Sequence, residues 1–257
     1  ILGINSAVMS LGTAFFPVIA AGLLHFGWNY PFLISSTALF AGVFGAMYFR
    51  DSLPAGRLST QEDVSNTSRK ILWVYAMSTM TYIILMGCFM TYLPFFITDK
   101  LAGKPMYIGL SMTILSIGTV LVALLFGTLC RKYSQYRLLA FSFLFYALAL
   151  VLFVTSTHIA QVFIASFLYG CGNALNFPNT QSIISKLSPS GRLATNLSLN
   201  RMSILVGQTI GPLLMGLVFR FSQSNLLMVF WCGILLSVLT FILLSVNRMF
   251  HTKAGEL

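Results

Sequence analysis

Eight apolar runs, each close to the ~20 residues a helix needs to cross a bilayer, follow one another along this chain with little between them. They are Leu2–Leu24, Tyr30–Phe49, Ile71–Ile97, Met106–Cys130, Leu138–Ser156, Ala160–Ile184, Leu197–Phe219 and Leu226–Val246. Inside lipid every backbone N–H and C=O must be satisfied within the protein, which leaves only helices or closed barrels. Barrel strands alternate apolar and polar side chains over about ten residues. These runs are long and unbroken, so the expected fold is all-α and polytopic. Composition agrees where it matters. Only 8% of the 257 residues are charged, against about 25% in soluble domains, too few to cover a water-facing surface.

The net charge of +10 raises the question of nucleic acid. Its distribution answers it, because the basic residues sit in the short gaps between apolar runs rather than in a stripe. Lys and Arg placed so set the orientation of a membrane protein. One side carries Arg50, Arg57, Arg69, Lys70, Arg131, Lys132, Arg137, Lys186, Arg192, Arg201, Arg248 and Lys253, and the other only Lys100, Lys104 and Arg220. The asymmetry assigns the polar stretch 51–70 and the C-terminus to the cytoplasm, so Leu2–Leu24 runs outward. Connections are mostly tight, which predicts that successive helices pack as antiparallel neighbours. Residues 1–50 read as two helices of one bundle, 51–70 as a cytoplasmic linker, and 71–257 as a second, six-helix bundle with a short tail. The chain opens at Ile1 inside an apolar run, without a charged leader, so the expectation is a piece of a longer protein.

No metal site, cofactor or catalytic constellation is expected. Cys88, Cys130, Cys171 and Cys232 are scattered singly without ligand spacing, and no nucleophile–base pairing is visible. The five acids, Asp51, Glu62, Asp63, Asp99 and Glu256, fall between or after the apolar runs. An ionisable group at membrane depth is costly and therefore functional by default. None of the predicted spans contains a carboxylate.

Laying Pro17 over Pro212, 195 residues later, puts Asn5 on Asn200, Gly12 on Gly207 and Gly22 one residue from Gly216. Both helices run outward in the topology above, as parallel halves of about six helices require. The first carries "LGTAFFPVIAAGLLHFGWNYPF" and the second "GQTIGPLLMG". Gly and Pro in a spanning helix permit close backbone approach and free a carbonyl at a kink. Gly12, Pro17, Gly22, Gly207, Gly211, Pro212 and Gly216 are thus candidates for a moving interface between bundles, with plain helix packing as the alternative.

These segments resemble the major facilitator superfamily, and within it the bacterial twelve-helix drug–proton antiporters. The first segment is similar to the family's fifth-helix antiporter motif, with Phe16 where the family has Gly before the Pro. "GTLCRKYSQYRLL" resembles a degenerate copy of its cytoplasmic loop motif, with Arg131 in place of the Asp and Ser134 in place of a Gly. "YGCGNALNFPNTQSIISKLSPSGRLAT" resembles the tenth helix and following loop. The likeness implies helices five to twelve of a major-facilitator bundle, with the first four preceding Ile1. It further implies a multi-pass carrier of the cell (cytoplasmic) membrane, monomeric when full length, moving a small molecule by alternating access in exchange for protons. Arg131, Lys132 and Arg201 would then border the cytoplasmic gate. The alternative for Arg201 is snorkelling to the interface.

Substrate-path candidates come from polar and adaptable side chains. Tyr169, Asn173, Asn176 and Thr180 recur at spacings of 4, 3 and 4, on one helical face. That stripe is either a cavity wall or interhelical hydrogen bonding. Tyr82, Met86 and Phe89 or Met90 share another face, whose aromatic and thioether groups suit apolar or amphipathic ligands better than sugars. Asn200 and Gln208 complete the set. The expected function is efflux of such compounds. The alternatives are a major-facilitator carrier that takes up a metabolite or sugar, and a non-transporting multipass protein.

Overall fold

Where the runs are longest and most apolar, helices form. In the computed structural model the described residues are 69–189 and 191–246, the segment 36–48, and isolated positions between 12 and 32. They contain α1 (Thr37–Tyr48), α2 (Lys70–Lys100), α3 (Met106–Lys132), α4 (Gln135–Thr155), α5 (Ile159–Leu187), α6 (Leu193–Phe221) and α7 (Leu226–Val246), with no strand among them. Five, namely α2, α3, α4, α6 and α7, are long and apolar enough to cross a membrane. The sixth long helix, α5, spans 29 residues but falls just outside that group because Asn, Gln and Tyr lower its hydropathy. The chain is therefore an all-α polytopic membrane protein. The linker 51–68, the tail 247–257 and Pro17 lie outside the described residues.

Local chemistry ends the helices where the hydropathy does. Tyr133 is extended and stops α3, and the Ser134 hydroxyl accepts the Arg137 N–H to start α4. At the head of α5 the Gln161 carboxamide oxygen accepts the N–H groups of Thr157 at 2.7 Å and His158 at 3.4 Å. Two consecutive residues in the left-handed region, Gln223 and Ser224, turn α6 into α7. The Asn225 side chain then caps the Leu227 N–H at 3.0 Å.

One helix departs from α-geometry. Within α2 the segments Ile83–Met90 and Phe96–Lys100 are wound wide, so that the Thr91 N–H bonds the Met86 carbonyl five residues back. The Thr91 hydroxyl donates to that same carbonyl at 2.6 Å. Pro94 lies inside the following turn and brings no N–H to the ladder. A carbonyl that loses its donor to the proline is one of the recognised causes of such register changes.

Packing follows chain order only in part. The closest associations are α3 with α5, α4 with α5, α4 with α7, and α2 with α6, while α3 barely meets α4. The expectation that tight connections make successive helices the main neighbours holds for α4 and α5 and fails for the other successive pairs from α2 to α7. The reason is steric. A Cβ on Gly118 would lie 2.5 Å from the Phe167 carbonyl oxygen, and one on Gly170 would overlap the Leu115 carbonyl, so only glycine lets α3 and α5 cross backbone to backbone. The Thr119 hydroxyl donates across that crossing to the Gly170 carbonyl at 3.1 Å. Gly172 holds α5 against Ser142 and Tyr146 of α4, and Gly233 of α7 makes room for Cys88.

Candidate functional site

The predicted polar face of α5 splits in two. Asn176 is buried, and its amide nitrogen donates to the Thr81 hydroxyl of α2 at 3.0 Å and the Ser142 hydroxyl of α4 at 3.1 Å. Both hydroxyls in turn donate to their own helices, to Met77 and Leu139. Every hydrogen in this node is used, which ties three helices together in the bundle interior. Tyr169 is fully buried, its ring 4.6 Å from both Phe89 and Tyr146. Thr180 is also buried and donates back to Phe177. Of the four stripe residues only Asn173 stays half-open, in line with Phe177 and Gln181. The 4-3-4 spacing identified a shared face, but most of that face looks at neighbouring helices.

A different row is open on α2. Tyr82, Met86 and Met90 recur every four residues and are all half-buried, while Ile83, Ile84, Leu85, Cys88 and Phe89 between them are buried. Phe89 thus leaves the predicted open face and joins an aromatic core with Phe153, Tyr169 and Tyr146. The wide turn over Ile83–Met90 sets which side chains emerge along this row.

Helix α6 meets α2 along one stripe of Asn196, Asn200, Ile204, Gly207, Gly211 and Met215. The Tyr75 hydroxyl donates to Asn196, the Ser78 hydroxyl to the Asn200 side-chain oxygen at 2.7 Å, and the Thr79 hydroxyl to the Ser203 carbonyl at 3.1 Å. Farther along, a Cβ on Gly207 would lie 2.5 Å from the Thr79 carbonyl oxygen and 3.0 Å from the Tyr82 Cβ. One on Gly211 would lie 2.9 Å from Ile83, and one on Gly87 would lie 2.7 Å from the Gly211 carbonyl oxygen. Gly207 and Gly211 therefore act at a crossing inside this group of helices. Pro212 and Gly216 flank that crossing and are half-buried. Gly12 is half-buried and Gly22 exposed with open space at its Cα, and their partner Pro17 lies outside the described residues.

Gln208 is half-buried, one residue from the Gly207 contact with Tyr82. Arg201 is exposed on α6, close enough to act electrostatically on Tyr82. Arg131 and Lys132 are exposed at the end of α3, with the Lys132 ammonium 5.6 Å from the Tyr133 ring centroid. Among the described residues Asp99 is the sole carboxylate. It lies in the last wide turn of α2, not in a loop as the run boundaries suggested. Asp99 also lines a cavity of about 510 Å³ at that end of the bundle, which hydropathy alone did not reveal. Its only sequence signal was the recurrence of Tyr92, Phe95 and Asp99 at spacings of 3 and 4.

What these helices offer chemically is a neutral half-open row of aromatic and thioether groups on α2, alongside an interior node at Asn176 whose hydrogens are already used. The sequence model of the Major Facilitator Superfamily matches residues 75–255. No curated protein matches the chain.

Proposed function

This chain belongs to the major facilitator superfamily, and from that premise we propose that it forms part of a carrier exporting small apolar or amphipathic compounds in exchange for protons. Secondary transport across a membrane is the family's work. The finer reading is supported by one observation above the others. The half-open row Tyr82–Met86–Met90, on a stretch of α2 whose intervening residues are buried, presents an aromatic ring and two thioethers with Gln208 nearby. Such a surface adapts to varied apolar shapes, whereas a sugar site needs many fixed polar groups.

In this reading 71–257 is the C-terminal bundle, 51–70 the cytoplasmic linker, and Arg131, Lys132 and Arg201 border the inner mouth of a carrier in the cell membrane. Asn173 shares the substrate wall with the α2 row, and the Gly207/Gly211/Pro212 segment lets α6 shift against α2 as access alternates. In this reading the carboxylate that exchanges the proton belongs to another part of the carrier, since among the described residues of α2 to α7 the sole one, Asp99, sits in the last turn of α2.

The test is dye efflux from energised cells producing the full-length protein. Efflux that collapses with a proton uncoupler, and falls about tenfold in Tyr82→Ala or Met86→Ala at equal expression, is the expected result. Unchanged efflux in both variants, or net uptake driven by the same gradient, would overturn the proposal.

A further inference from the structure

We propose that the hydroxyls of Tyr146 and Tyr169 hold an ordered internal water beneath Tyr82, and that this water positions the Tyr82 phenol in the open row of α2. The inference deepens the carrier reading and rests on it only for the statement that the row binds the compound carried.

Both tyrosines are fully buried, one on α4 and one on α5. Neither hydroxyl has a hydrogen-bond partner among the described residues. A buried phenol ordinarily finds one, because an O–H taken out of water and left unpaired is costly. Rotation of the rings cannot supply it. The Tyr169 ring is held between Phe89 and Tyr146, 4.6 Å from each by ring centroids. Tyr146 lies so close over Gly172 that a Cβ there would come within 2.8 Å of its ring, and Phe143 meets it edge-on at 5.7 Å. Two fixed hydroxyls without a protein partner make a site that retains a water, which needs more than one polar neighbour.

The third neighbour is Tyr82. The Asn176 node pins α2, α4 and α5 together at Thr81, Ser142 and Asn176. Those residues lie one position from Tyr82, one turn from Tyr146 and two turns from Tyr169. Tyr82 is close enough to act electrostatically on both buried tyrosines, and Tyr146 on Tyr169. Of the three rings only that of Tyr82 is half-open to the row. A water held from behind by two fixed phenols bonds the third hydroxyl and sets where it points, nearly as firmly as a direct hydrogen bond would.

The experiment uses the purified full-length protein with the amphipathic dye ethidium, reading the thermal midpoint and the dye dissociation constant on the same preparations. Tyr146→Phe and Tyr169→Phe each remove one oxygen and keep the ring. Each is expected to lower the midpoint, through the lost water, and to weaken the dye about fivefold per folded molecule. In a Tyr82→Phe background neither change should weaken it further, because the hydroxyl to be positioned is gone. A midpoint that is unchanged or raised in both variants overturns the proposal, since the hydroxyls then bond nothing. A lowered midpoint with unchanged dye affinity makes the water a packing element alone and overturns the positioning. Weakening of equal size with and without the Tyr82 hydroxyl overturns it as well. The expected pattern in a protein that shows no efflux sinks the export reading and leaves the water and its role standing.

Discussion

Two helices of this bundle look alike as sequences and behave differently as structures. Both α5 and α6 run for 29 residues, both contain an internal proline, and both carry asparagines and paired glycines. Yet fifteen residues of α5 are buried against six of α6. The first is gripped by α2, α3 and α4, and Asn176 and Asn179 each donate to a neighbouring helix. The second meets chiefly α2, along one stripe, with lighter contacts to α5 and α7, and it exposes Met202, Leu205, Leu213 and Leu217. A helix held on one side can shift as a unit, and one held on three cannot. We therefore expect the small residues that are fixed spacers in α5 to lie, in α6, at a contact that can shift.

Substituting the spacers should separate the two most sharply. Gly170→Ala pushes a methyl into the Leu115 carbonyl, with Thr119 N 3.1 Å behind it, and neither backbone can retreat. We expect a loss of about 3 kcal/mol, the upper end of overpacking, seen as a large drop in the thermal midpoint of the purified protein. Gly211→Ala meets Ile83 at 2.9 Å, but α6 has an open side into which to yield. The expected cost is about 1 kcal/mol, accompanied by a change in transport rate. Equal destabilisation by the two changes would mean that α6 is as rigidly held as α5, and the comparison would fail.

The asparagines of α5 give a smaller and more selective contrast. Asn176→Ala removes two interhelical bonds, at roughly 0.6 kcal/mol each in membrane proteins. Its effect should appear as a stability loss of about 1 kcal/mol, with transport falling only as folded protein falls. Asn173→Ala, on the half-open side, should leave the thermal midpoint unchanged and alter efflux kinetics. The reverse pattern would restore Asn176 to the substrate wall and remove Asn173 from it.

From Lys70 to Val246 hydropathy alone located the helices. The span expected at Leu226–Val246 is the helix observed, and Ile71–Ile97 grew only to Lys70–Lys100. Apolar length is a property of the segment itself, so it can be read without neighbours. Which way a side chain faces is not. Tyr169 and Asn176 were rightly grouped on one face, but only the arrival of Tyr146, Phe89, Thr81 and Ser142 decides that the face is interior. Regular helical spacing leaves Phe89 or Met90 for the open row of α2, and with the wide turn at Ile83–Met90 it is Met90 that lies in the row and Phe89 that is buried. Pro94 and Thr91 were visible signs of a disturbed ladder, though not of where the register would change. Asp99 belonged to no apolar run, so its place in a cavity depended on Phe219 and Leu227, more than a hundred residues away.

The smallest effect tests the fastening of α6 itself. Ser78 donates to Asn200 at 2.7 Å, one of several polar contacts along the α2–α6 stripe, and both residues are buried. A double-mutant cycle with Ser78→Ala and Asn200→Ala should return a coupling of about 0.6 kcal/mol, measured by reversible unfolding in detergent. The matching cycle with Thr81→Val and Asn176→Ala probes the node that binds α5 to α2. Because Asn176 is clamped from two sides, losing Thr81 leaves it no room to find another partner, and its coupling should be the larger. At the α6 stripe the freed Asn200 can follow a small displacement of its helix, which spreads the cost and lowers the coupling. A larger coupling at Ser78–Asn200 than at Thr81–Asn176 would show that α6 is the better anchored helix, and a shift of α6 against α2 could not then accompany transport.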